Sequence, residues 1–458
     1  MSLDMPFNIN SSQQMQDYLF NFLKLKPLQE KNDKGNYSVD VNVLTHYAEK
    51  EDIEFCKLLM DYRKLNKCYS TYIKGLEKYI SEETGNVHPS FSMGTTVTGR
   101  SSSQNPNKQN ISKHGDIIKG IPWTELRKVF SSELDKYYIL EADYVGAEVK
   151  VCAMLTDDDQ LCDDLNNDMD QHSHWAGVIF GIDKPLSDIK KHHGDERFLA
   201  KNNFTFANLF GASPLSIATS FREHDFYIDY VRSKFELARQ VKGFNNTWDK
   251  FFVEYSEKHL TECQNEFYNR YTKVKEWQDG VVQFYYDNGY IENPFGFRRR
   301  YPMKKNEIIN FPIQSTSFHL LLDSLIKTQK QMIEYEMKSI LCSQVHDSGF
   351  FLVHIDEAEE LCELISYEME NKDFEWTKKV RLESEIEIGK TWEGIKVDNK
   401  PFRAKHKNSG EILKYNIFHW FAHDFGFDEN YIYKVLNGKK DENEQPYQLD
   451  GWELEYTK

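Results

Sequence analysis

Two aspartates at the ends of apolar, strand-like segments constrain this chain more than any other feature. Asp143 follows the apolar run 137–142, and Asp347 lies at the tip of a hairpin pattern formed by residues 339–345 and 349–355. Each aspartate by itself is equally well explained as a solvated turn residue. On adjacent strand ends, however, two carboxylates form the oxygen-rich site that Mg²⁺ prefers, with substrate phosphates completing it. Two such metal ions would support phosphoryl transfer.

Helical patterns flank these strands on both sides. Residues 13–80 carry apolar side chains at helical spacing, interrupted by a polar stretch at 31–37. Residues 84–112 are rich in Thr, Ser, Gly, Asn and Pro, which is typical of a shaped loop region. Residues 160–290 are again mainly helical, and a further helix is predicted at 315–337. We therefore expect a mixed chain of helices and strands without internal repeats.

The size and charge of the chain limit its class. Its 458 residues suggest about three domains, and 40% hydrophobic with 28% charged residues is ordinary globular composition. The formal net charge of −16 disfavours a protein that coats nucleic acid through bulk charge, although a basic cleft is compatible with it. The sequence has no apolar run of about 18 residues and no signal-peptide pattern, so we expect no membrane association. Seven scattered cysteines without a CxxC pair indicate reduced thiols and a cytoplasmic protein.

Four segments stand in a fixed order along the chain. They are residues 98–111 (TGRSSSQNPNKQNI), 143–148 (DYVGAE), 197–211 (RFLAKNNFTFANLFG) and 344–347 (QVHD). They resemble, in the same order, the motifs of the family-A DNA polymerases, the bacterial DNA polymerase I type. Further likeness at 290–302 and 310–314 (NFPIQ), and near the start of the chain at 7–20 (FNINSSQQMQDYLF) and 26–29 (KPLQ), extends the resemblance over roughly residues 7–392. The ordered set is specific although no single motif is, and it implies a right-hand α+β fold with a helical thumb, an antiparallel β-sheet palm and helical fingers.

The resemblance also divides the chain into parts. It implies a thumb at 1–83, a palm at 84–160 and 293–398, and fingers at 161–292. Residues 399–458 lie beyond the usual end of the family and resemble the small helix-turn-helix modules appended to homing nucleases, which suggests a phage-like source. In this module we predict strands at 410–415 and 448–456 and helices at 417–425 and 429–436. Because it is not a basic clamp, a structural plug or a protein-binding role is as well supported as DNA binding.

The resemblance implies a template-directed DNA polymerase that joins dNTPs to a primer 3′-OH. Asp143 and Asp347 would hold two Mg²⁺ ions, with the backbone carbonyl of Tyr144 as a further ligand and Mn²⁺ as a substitute metal. The implied partners are primer-template DNA and dNTPs. We expect a monomer, and a processivity partner is left open. Because the chain starts inside what the resemblance makes the thumb, we expect it to lack proofreading.

Three basic residues are implied to bind the triphosphate of the incoming nucleotide. They are Arg197 and Lys201, which are one helical turn apart, and His172. Lys201 is also an implied catalytic residue. A solvated basic stripe is the alternative explanation for the first two residues. The pair His172 and His174 suggests a metal site only weakly, because spacing alone is not specific.

One acidic and two aromatic residues are implied to shape the nucleotide pocket. Glu148 would crowd the sugar 2′ position and so exclude ribonucleotides. Its alternative role is that of a helix-start acid, favoured by the helix dipole. Phe206 would stack near the incoming sugar and Phe210 near the templating base.

Polar residues from several segments are implied to contact the DNA. The expected set is Arg100, Asn107, Gln109, Asn110, Arg298, Arg299, Asn310, Gln314 and His346. Arg100 would reach the minor groove at the primer terminus, where correct base pairs share an acceptor pattern. Arg298 and Arg299 belong to a triplet completed by Arg300, which would contact the template backbone. A simple basic turn is the alternative for this triplet.

The chain departs from the family pattern at two places. Ser348 stands where the family usually has Glu after the second aspartate, and we expect activity to survive with altered metal positioning. Phe206 follows Lys201 by five residues, where the family has four. A regular helix, at about 100° per residue, would turn Phe206 about 140° away from Lys201, so we predict a one-residue π-bulge between them. The competing hypothesis keeps the helix regular and gives Thr205 and Leu209 the active face.

Two other functions fit parts of the sequence. A single-subunit RNA polymerase often has His-Asp-Ser at the second metal motif, as this chain does at 346–348. Glu148 and the NPNKQNI and NFPIQ segments argue against that function. A non-catalytic DNA-binding protein is disfavoured, because both aspartates and both basic helix residues are present.

Overall fold

The computed structural model describes residues 7–32, 35–111, 116–132, 136–241, 244–300, 302–345, 347–393, 395–396, 402–415, 422, 424–441 and 445–456. These residues divide into two units by their contacts. The first unit draws on 1–91, 103–131 and 391–393, and the second on 92–102, 132–390 and 394–458. The predicted boundaries at 160, 292 and 398 fall inside the second unit and stay predictions.

The first unit is mainly helical, as the apolar spacing at 13–80 predicts. Its helices are α1 (Ser12–Gln16), α2 (Val41–Glu49), α3 (Glu54–Lys67), α4 (Lys74–Glu77) and α5 (Thr124–Arg127), with π-helical segments at Asp17–Phe22 and Cys68–Ile73. Asp40 caps α2 by accepting a hydrogen bond from the Val43 N–H at 3.0 Å. Leu19, Leu44 and Leu59 are fully buried in the apolar core of this unit.

Four short strands complete this part of the chain. The strands β1 (Ser90–Ser92) and β2 (Ser102–Gln104) lie where the chain passes from one unit to the other. The strands β3 (Asp116–Ile118) and β4 (Ile121–Pro122) form an antiparallel hairpin in the first unit. The region predicted as shaped loop at 84–112 therefore contains little regular structure, as its composition indicates.

The second unit contains a five-stranded antiparallel sheet. The strands described between residues 137 and 396 are β5 (Tyr137–Tyr144), β6 (Tyr290–Glu292), β7 (Arg298–Arg300), β8 (Ile340–Val345), β9 (Ser348–His354), β10 (Ser384–Gly389) and β11 (Ile395–Lys396). The large sheet has the order β11-β10-β5-β9-β8, while β6 and β7 form a separate hairpin. The predicted strand before the first aspartate and the predicted hairpin around the second are both confirmed.

Helices connect these strands. They are α6 (Ala147–Thr156), α7 (Asp159–Asn166), α8 (Gln171–Phe180), α9 (Leu186–His192), α10 (Gly194–Leu199), α11 (Phe206–Leu209), α12 (Pro214–Arg222), α13 (Asp225–Arg239), α14 (Trp248–Arg270), α15 (Thr272–Asn288), α16 (Lys305–Glu334) and α17 (Ala358–Glu370), with a π-helical segment at Ala200–Thr205 and 3-10 turns at Ile355–Glu357 and Glu375–Thr377. Within the described ranges, every helix is too short or too polar to cross a bilayer.

The start of α16 corrects the sequence prediction. We predict a helix at 315–337, but α16 already begins at Lys305 and runs through Pro312. A proline inside a helix removes one backbone hydrogen bond and normally disfavours this position. Here Phe311 and Ile313, its neighbours, are almost completely buried. The burial of these two side chains outweighs the cost of the hydrogen bond that Pro312 removes.

The sheet packs against α16 and α17 through one face of β5 and β9. Gly349 of β9 lies under Leu325 of α16, because a Cβ on the glycine would come within 2.4 Å of the leucine side chain. The hydroxyl of Tyr144 donates to the Met369 carbonyl at 2.8 Å and so ties β5 to α17. Because side chains alternate along a strand, Asp143 projects from the opposite face of the sheet.

A second part of the core holds the helices that follow the sheet. Trp175 of α8 is fully buried, and the rings of Phe204, Phe267 and Tyr271 lie within 6.0 Å of it. These contacts fix the π-helical segment against α8 and α14.

The C-terminal residues form a small sheet with one described helix. The strands β12 (Phe402–His406), β13 (Ile412–Tyr415) and β14 (Trp452–Tyr456) pair in the order β13-β12-β14, and α18 (Glu429–Leu436) confirms a predicted helix. The predicted strands are confirmed from 412 and from 452, whereas β12 was not predicted. The predicted helix at 417–425 lies largely outside the described residues.

Candidate active site

The two predicted aspartates lie at neighbouring strand ends. Asp143, the next-to-last residue of β5, is opposite Ser348, the first residue of β9. Asp347 immediately precedes Ser348 in the turn between β8 and β9, so the antiparallel pairing brings both aspartates to the same end of the sheet. Glu385 of β10 flanks Asp143 on its other side. The predicted adjacency of the two strand ends is confirmed.

Arg100 forms ion pairs with two carboxylates of this site. Its Nη2 donates to Glu148 Oε1 at 2.9 Å and to Asp347 Oδ1 at 3.1 Å. Glu148 lies in the first turn of α6, directly after β5. The three side chains are between 19% and 25% exposed, so they interact in a partly dehydrated environment. The guanidinium therefore neutralises two carboxylates that would otherwise repel each other.

A glycine turn positions Arg100. Gly99 has a φ of +76°, and a Cβ on it would come within 2.7 Å of the Phe297 ring. Both the left-handed backbone and the close approach of the ring therefore require glycine here. The Thr96 hydroxyl donates to the Arg100 carbonyl at 2.6 Å and closes the turn.

The donor set suits a hard divalent cation. In the described ranges, no three His, Cys, Asp or Glu side chains form a ready-made metal cage. Mg²⁺ does not need one, because it is commonly held by one or two carboxylates together with waters and substrate phosphates. Asp143 and Asp347 provide such carboxylates, and the ion pairs of Arg100 mark a place where positive charge is favoured. The side chain of Tyr144 is bonded in the core, so its contribution to this site would be its backbone carbonyl.

The pKa of Glu148 is raised above its ordinary value. Burial is the main cause, the Arg100 guanidinium opposes it, and the negative charge of Asp347 adds to it. Arg100 is thus the group that favours the charged form of Glu148.

The predicted π-bulge after Lys201 is confirmed. Residues Ala200–Thr205 are π-helical, and the Phe206 N–H donates to the Lys201 carbonyl, five residues earlier. Thr205 and Leu209 are buried, which contradicts the hypothesis that they form the active face. Phe206 and Phe210 are half-buried, with ring centroids 5.9 Å apart and nearly parallel planes. The extra residue is therefore absorbed without moving either phenylalanine into the core interior.

The predicted phosphate-binding residues come together around this bulge. His172 of α8 lies beside Phe206, with 6.1 Å between the ring centroids. Arg197 donates to both carboxylate oxygens of Asp170, at 3.1 and 3.2 Å. Lys201 is exposed. The structure therefore places three cationic or potentially cationic groups and one aromatic ring on neighbouring helices.

His172 is held in its neutral form. The pKa of its imidazole is lowered to about 4, mainly by burial and also by the nearby charges of Lys201 and Arg197, while Asp170 opposes the shift. Its Nδ1 atom is buried and has no hydrogen-bond partner among the described residues. The neutral ring carries one N–H, so it can donate a single hydrogen bond without adding charge.

Acidification is expected to destabilise the wild type more than the His172→Gln variant. The pKa of His172 is near 6.5 in the unfolded chain and about 4 in the folded chain. The unfolded state therefore binds more protons between these values, so stability falls as the pH falls through this window. The full difference amounts to about 3 kcal/mol. Denaturant titrations at pH 7, 5.5 and 4 measure it, with His192→Gln, an exposed histidine, as the control. Equal pH dependence of all three proteins would contradict the prediction.

Three predicted DNA contacts lie in the first unit. Asn107 Oδ1 accepts from the Gln109 N–H at 3.0 Å, and Gln109 Oε1 accepts from the Ser103 N–H at 3.0 Å. The Asn110 carbonyl accepts from the Tyr72 hydroxyl at 3.1 Å. Asn107 is exposed, whereas Gln109 is buried. The Gln109 side chain therefore shapes the loop, whereas Asn107 and Asn110 are exposed to solvent.

The basic triplet forms β7. Arg298 pairs with Glu292, and its guanidinium lies 4.8 Å from the centre of the Tyr290 ring. Arg299 approaches Glu307 at 3.7 Å and is mostly buried. The predicted turn residues are thus part of a hairpin with local acidic partners, and Arg298 and Arg300 are its exposed members.

Asn310 and Gln314 lie one turn apart on α16 and are half-buried. Asn310 Oδ1 is buried without a hydrogen-bond partner among the described residues. His346 lies outside the described residues.

One acidic residue of this region was missed by the sequence analysis. Glu141 of β5 is 5% exposed and accepts a hydrogen bond from the Ser348 hydroxyl at 3.1 Å. Its signal in the sequence was a glutamate two residues before Asp143, hence on the same face of the predicted strand.

Known proteins resemble the chain over most of its length. The model of DNA polymerase family A matches residues 2–394. DNA polymerase I of Caldicellulosiruptor bescii is 31% identical over 398 residues, which cover 84% of this chain and 41% of that protein. The thermostable DNA polymerase I of Thermus filiformis is 28% identical over 404 residues, covering 86% of this chain and 42% of that protein. The chain thus spans about two fifths of the length of these curated relatives.

A solved structure has the same fold. The POL domain of Pol1 from M. smegmatis, in complex with DNA primer-template and dNTP, matches with a TM-score of 0.66 and 23% sequence identity. The match covers 84% of this chain and 61% of that chain. The α+β right-hand architecture expected from the motifs is therefore confirmed.

Proposed function

The chain belongs to DNA polymerase family A, and we propose that it is a template-directed DNA polymerase that adds dNTPs to a primer 3′-OH. The observation that carries the proposal is the meeting of Asp143 and Asp347 at one end of the sheet, beside Arg100 and Glu148. The test is extension of a labelled primer on a template with Mg²⁺ and dNTPs.

Asp143, Asp347 and the Tyr144 carbonyl are the proposed ligands of two Mg²⁺ ions, for which Mn²⁺ would substitute. When bound, these ions supply stabilisation of the charge on the attacking and leaving oxygens. The bond between the primer O3′ and the α-phosphorus forms as the bond to the β-phosphate oxygen breaks; the proton of the 3′-hydroxyl passes to water, and pyrophosphate leaves. Positioning and electrostatics account for the acceleration, because the protein forms no covalent bond to the substrate.

The residues around the π-bulge are the proposed triphosphate site. Lys201 and Arg197 would bind phosphate oxygens through charge-assisted hydrogen bonds. His172, which is neutral, would donate one hydrogen bond without adding charge. Phe206 and Phe210 would stack on the sugar and the templating base. Arg197 would have to share or leave Asp170 in doing so.

Arg100 is proposed to change partners when DNA binds. In the free chain it pairs with Glu148 and Asp347. Contact with the minor groove at the primer terminus would draw it away, so Asp347 would become available to metal and Glu148 to the nucleotide sugar. The further proposed DNA contacts are Asn107, Asn110, Asn310, Gln314, His346, Arg298 and Arg299, and Gln109 would act by shaping its loop.

Glu148→Ala is expected to raise the use of ribonucleotides relative to deoxyribonucleotides. Removing the carboxylate opens space for a 2′-hydroxyl, and a discrimination of about 10- to 100-fold is in the range that pocket shape provides. Incorporation efficiencies for paired dNTP and rNTP substrates measure the ratio. Glu383→Ala, which removes the partner of Lys150 on α6, is the matched control. An unchanged ratio would show that Glu148 is a helix-start residue.

For the C-terminal residues we propose DNA binding in the manner of a helix-turn-helix module, together with a phage-like source and a cytoplasmic monomer. Phe402, Ile432 and Trp452 belong to an apolar core formed within these C-terminal residues, so the segment can be deleted as one piece. Deleting residues 398–458 is expected to leave extension of short primer-templates unchanged and to weaken binding to longer duplexes. Extension assays and fluorescence anisotropy measure the two effects. Unchanged affinity for long duplexes would contradict the proposal, and loss of folding would support a structural plug instead.

A further inference from the structure

A buried glutamate on β5 lies beside the proposed metal site. Glu141 and Asp143 are two residues apart, so they project from the same face of the sheet. Glu141 is 5% exposed, and its neighbours on the two adjacent strands are Phe350 on β9 and Glu387 on β10. Burying a carboxylate is costly unless polar partners compensate it. The contacts of Glu141 therefore indicate what holds it in this position.

Ser348 connects this glutamate to the second aspartate. The Ser348 hydroxyl lies 3.1 Å from Glu141 Oε1 and 2.9 Å from the Val345 carbonyl. Val345 and Ser348 are the residues on either side of the turn that contains Asp347. Glu141 therefore bonds to the residue that closes this turn, and the direction of the Asp347 carboxylate depends on that closure.

The serine is also the position at which the chain departs from its family. The family resemblance implies glutamate directly after the second aspartate, and this chain has Ser348 there. Ser348 is opposite Asp143, and Glu141 is two residues from Asp143 on the same face, so the side chains of Glu141 and Ser348 are diagonal neighbours. A carboxylate at position 141 can therefore approach the place that a longer side chain at 348 would otherwise fill.

We infer that Glu141 supplies from β5 the carboxylate that is missing after Asp347, and that through Ser348 it positions Asp347 for metal binding. This inference assumes the proposed function. Glu141 acts as a positioning residue, because it reaches the site through Ser348. Groups that orient metal ligands typically change metal affinity by about 10- to 100-fold when they are removed.

Mn²⁺ binding tests the inference without relying on turnover. Mn²⁺ is titrated into the full chain mixed with a dideoxy-terminated primer-template and the next dNTP. Electron paramagnetic resonance measures the concentration of free Mn²⁺ at each step. We expect Glu141→Gln to weaken Mn²⁺ binding about 10-fold or more. Glu387→Gln is the matched control, because it removes one negative charge from the same row of the sheet, and it should bind Mn²⁺ like the wild type.

Two further variants separate positioning from a general effect on folding. Ser348→Ala removes a single hydroxyl and should also weaken Mn²⁺ binding, even where Glu141→Gln does not fold. The double variant E141S/S348E exchanges the two side chains and conserves their total volume. It should restore most of the affinity that Glu141→Ser loses. Circular dichroism and thermal unfolding verify that each variant is folded.

The outcomes distinguish this inference from the proposed function. A wild type that binds Mn²⁺ but extends no primer with Mg²⁺ would refute the polymerase proposal by itself. If the wild type does extend primers, equal Mn²⁺ affinities of wild type, Glu141→Gln and Ser348→Ala would overturn the role of Glu141. A folded exchange variant that recovers no affinity would overturn it as well.

Discussion

Asp347→Ala is expected to abolish primer extension while DNA binding persists, and Asp143→Ala is expected to do the same. Each aspartate is a proposed ligand of the metal ions, and the loss of one ligand empties or displaces a metal. Metal stabilisation of the transition state amounts to several kcal/mol, which corresponds to a rate loss of about 10³-fold or more. Single-turnover extension of a labelled primer with Mg²⁺ and one dNTP measures the rate.

The contacts of Arg100 sharpen the binding part of this prediction. In Asp347→Ala the arginine keeps Glu148 as a partner but loses one of its two ion pairs. The carboxylates of the protein then balance less of the Arg100 charge, so affinity for the DNA phosphates should be retained or increased. Fluorescence anisotropy with a labelled primer-template measures this affinity.

Asp356→Ala is the matched control for both aspartates. Asp356 follows β9 at the other end of the same hairpin and pairs on the surface with Lys338. Its loss should change neither extension nor binding, since exposed ion pairs contribute little to stability. Residual extension within about tenfold of wild type by either active-site variant would be too fast for a lost metal ligand and would refute the two-metal assignment.

The elements that could be predicted from sequence are those whose signal is local. The apolar run before Asp143 and the hairpin around Asp347 have a clear period and a clear turn, and both are present. The π-bulge could be predicted from the spacing once the resemblance gave both residues a role, because Phe206 follows Lys201 by five positions and would not share its face on a regular helix.

The parts that sequence reasoning missed depend on tertiary contacts. The extension of α16 through Pro312 requires the burial of its neighbours, which no local propensity contains. The pairing of Arg100 with Asp347 joins residues 247 positions apart. A motif places both residues in the site, but it does not indicate that they bind each other when no DNA is present.

The role of Glu141 also depends on a tertiary contact that the sequence does not show. Its spacing from Asp143 puts the two on one strand face, yet the strand register was needed to place Ser348 beside it. Substitution of the usual glutamate by serine could be read from the sequence. Its structural consequence could not, because compensation came from a different strand.

Lys201→Ala is expected to cause the second-largest loss of activity. Lys201 is exposed on the helix next to His172, and its ammonium is proposed to bind the leaving phosphates. Removing one positioned donor from a site of developing charge typically costs about 10²- to 10³-fold in rate. Steady-state kinetics should show a lower kcat/KM for every dNTP, with unchanged affinity for primer-template. Lys190→Ala, an exposed lysine on α9, is the control.

Deleting Asn202 tests whether the π-bulge itself serves this site. The deletion restores the family spacing of four residues, so a regular helix could place Lys201 and the following phenylalanines on one face. Asn202 is exposed, and in the described part of the chain its side chain hydrogen-bonds only to the Phe198 carbonyl. Its removal therefore disturbs little packing. If the bulge merely absorbs an extra residue, the deletion variant should retain most of its activity, whereas Lys201→Ala should not. A folded deletion variant as inactive as Lys201→Ala would show instead that this chain binds its nucleotide through the bulged backbone.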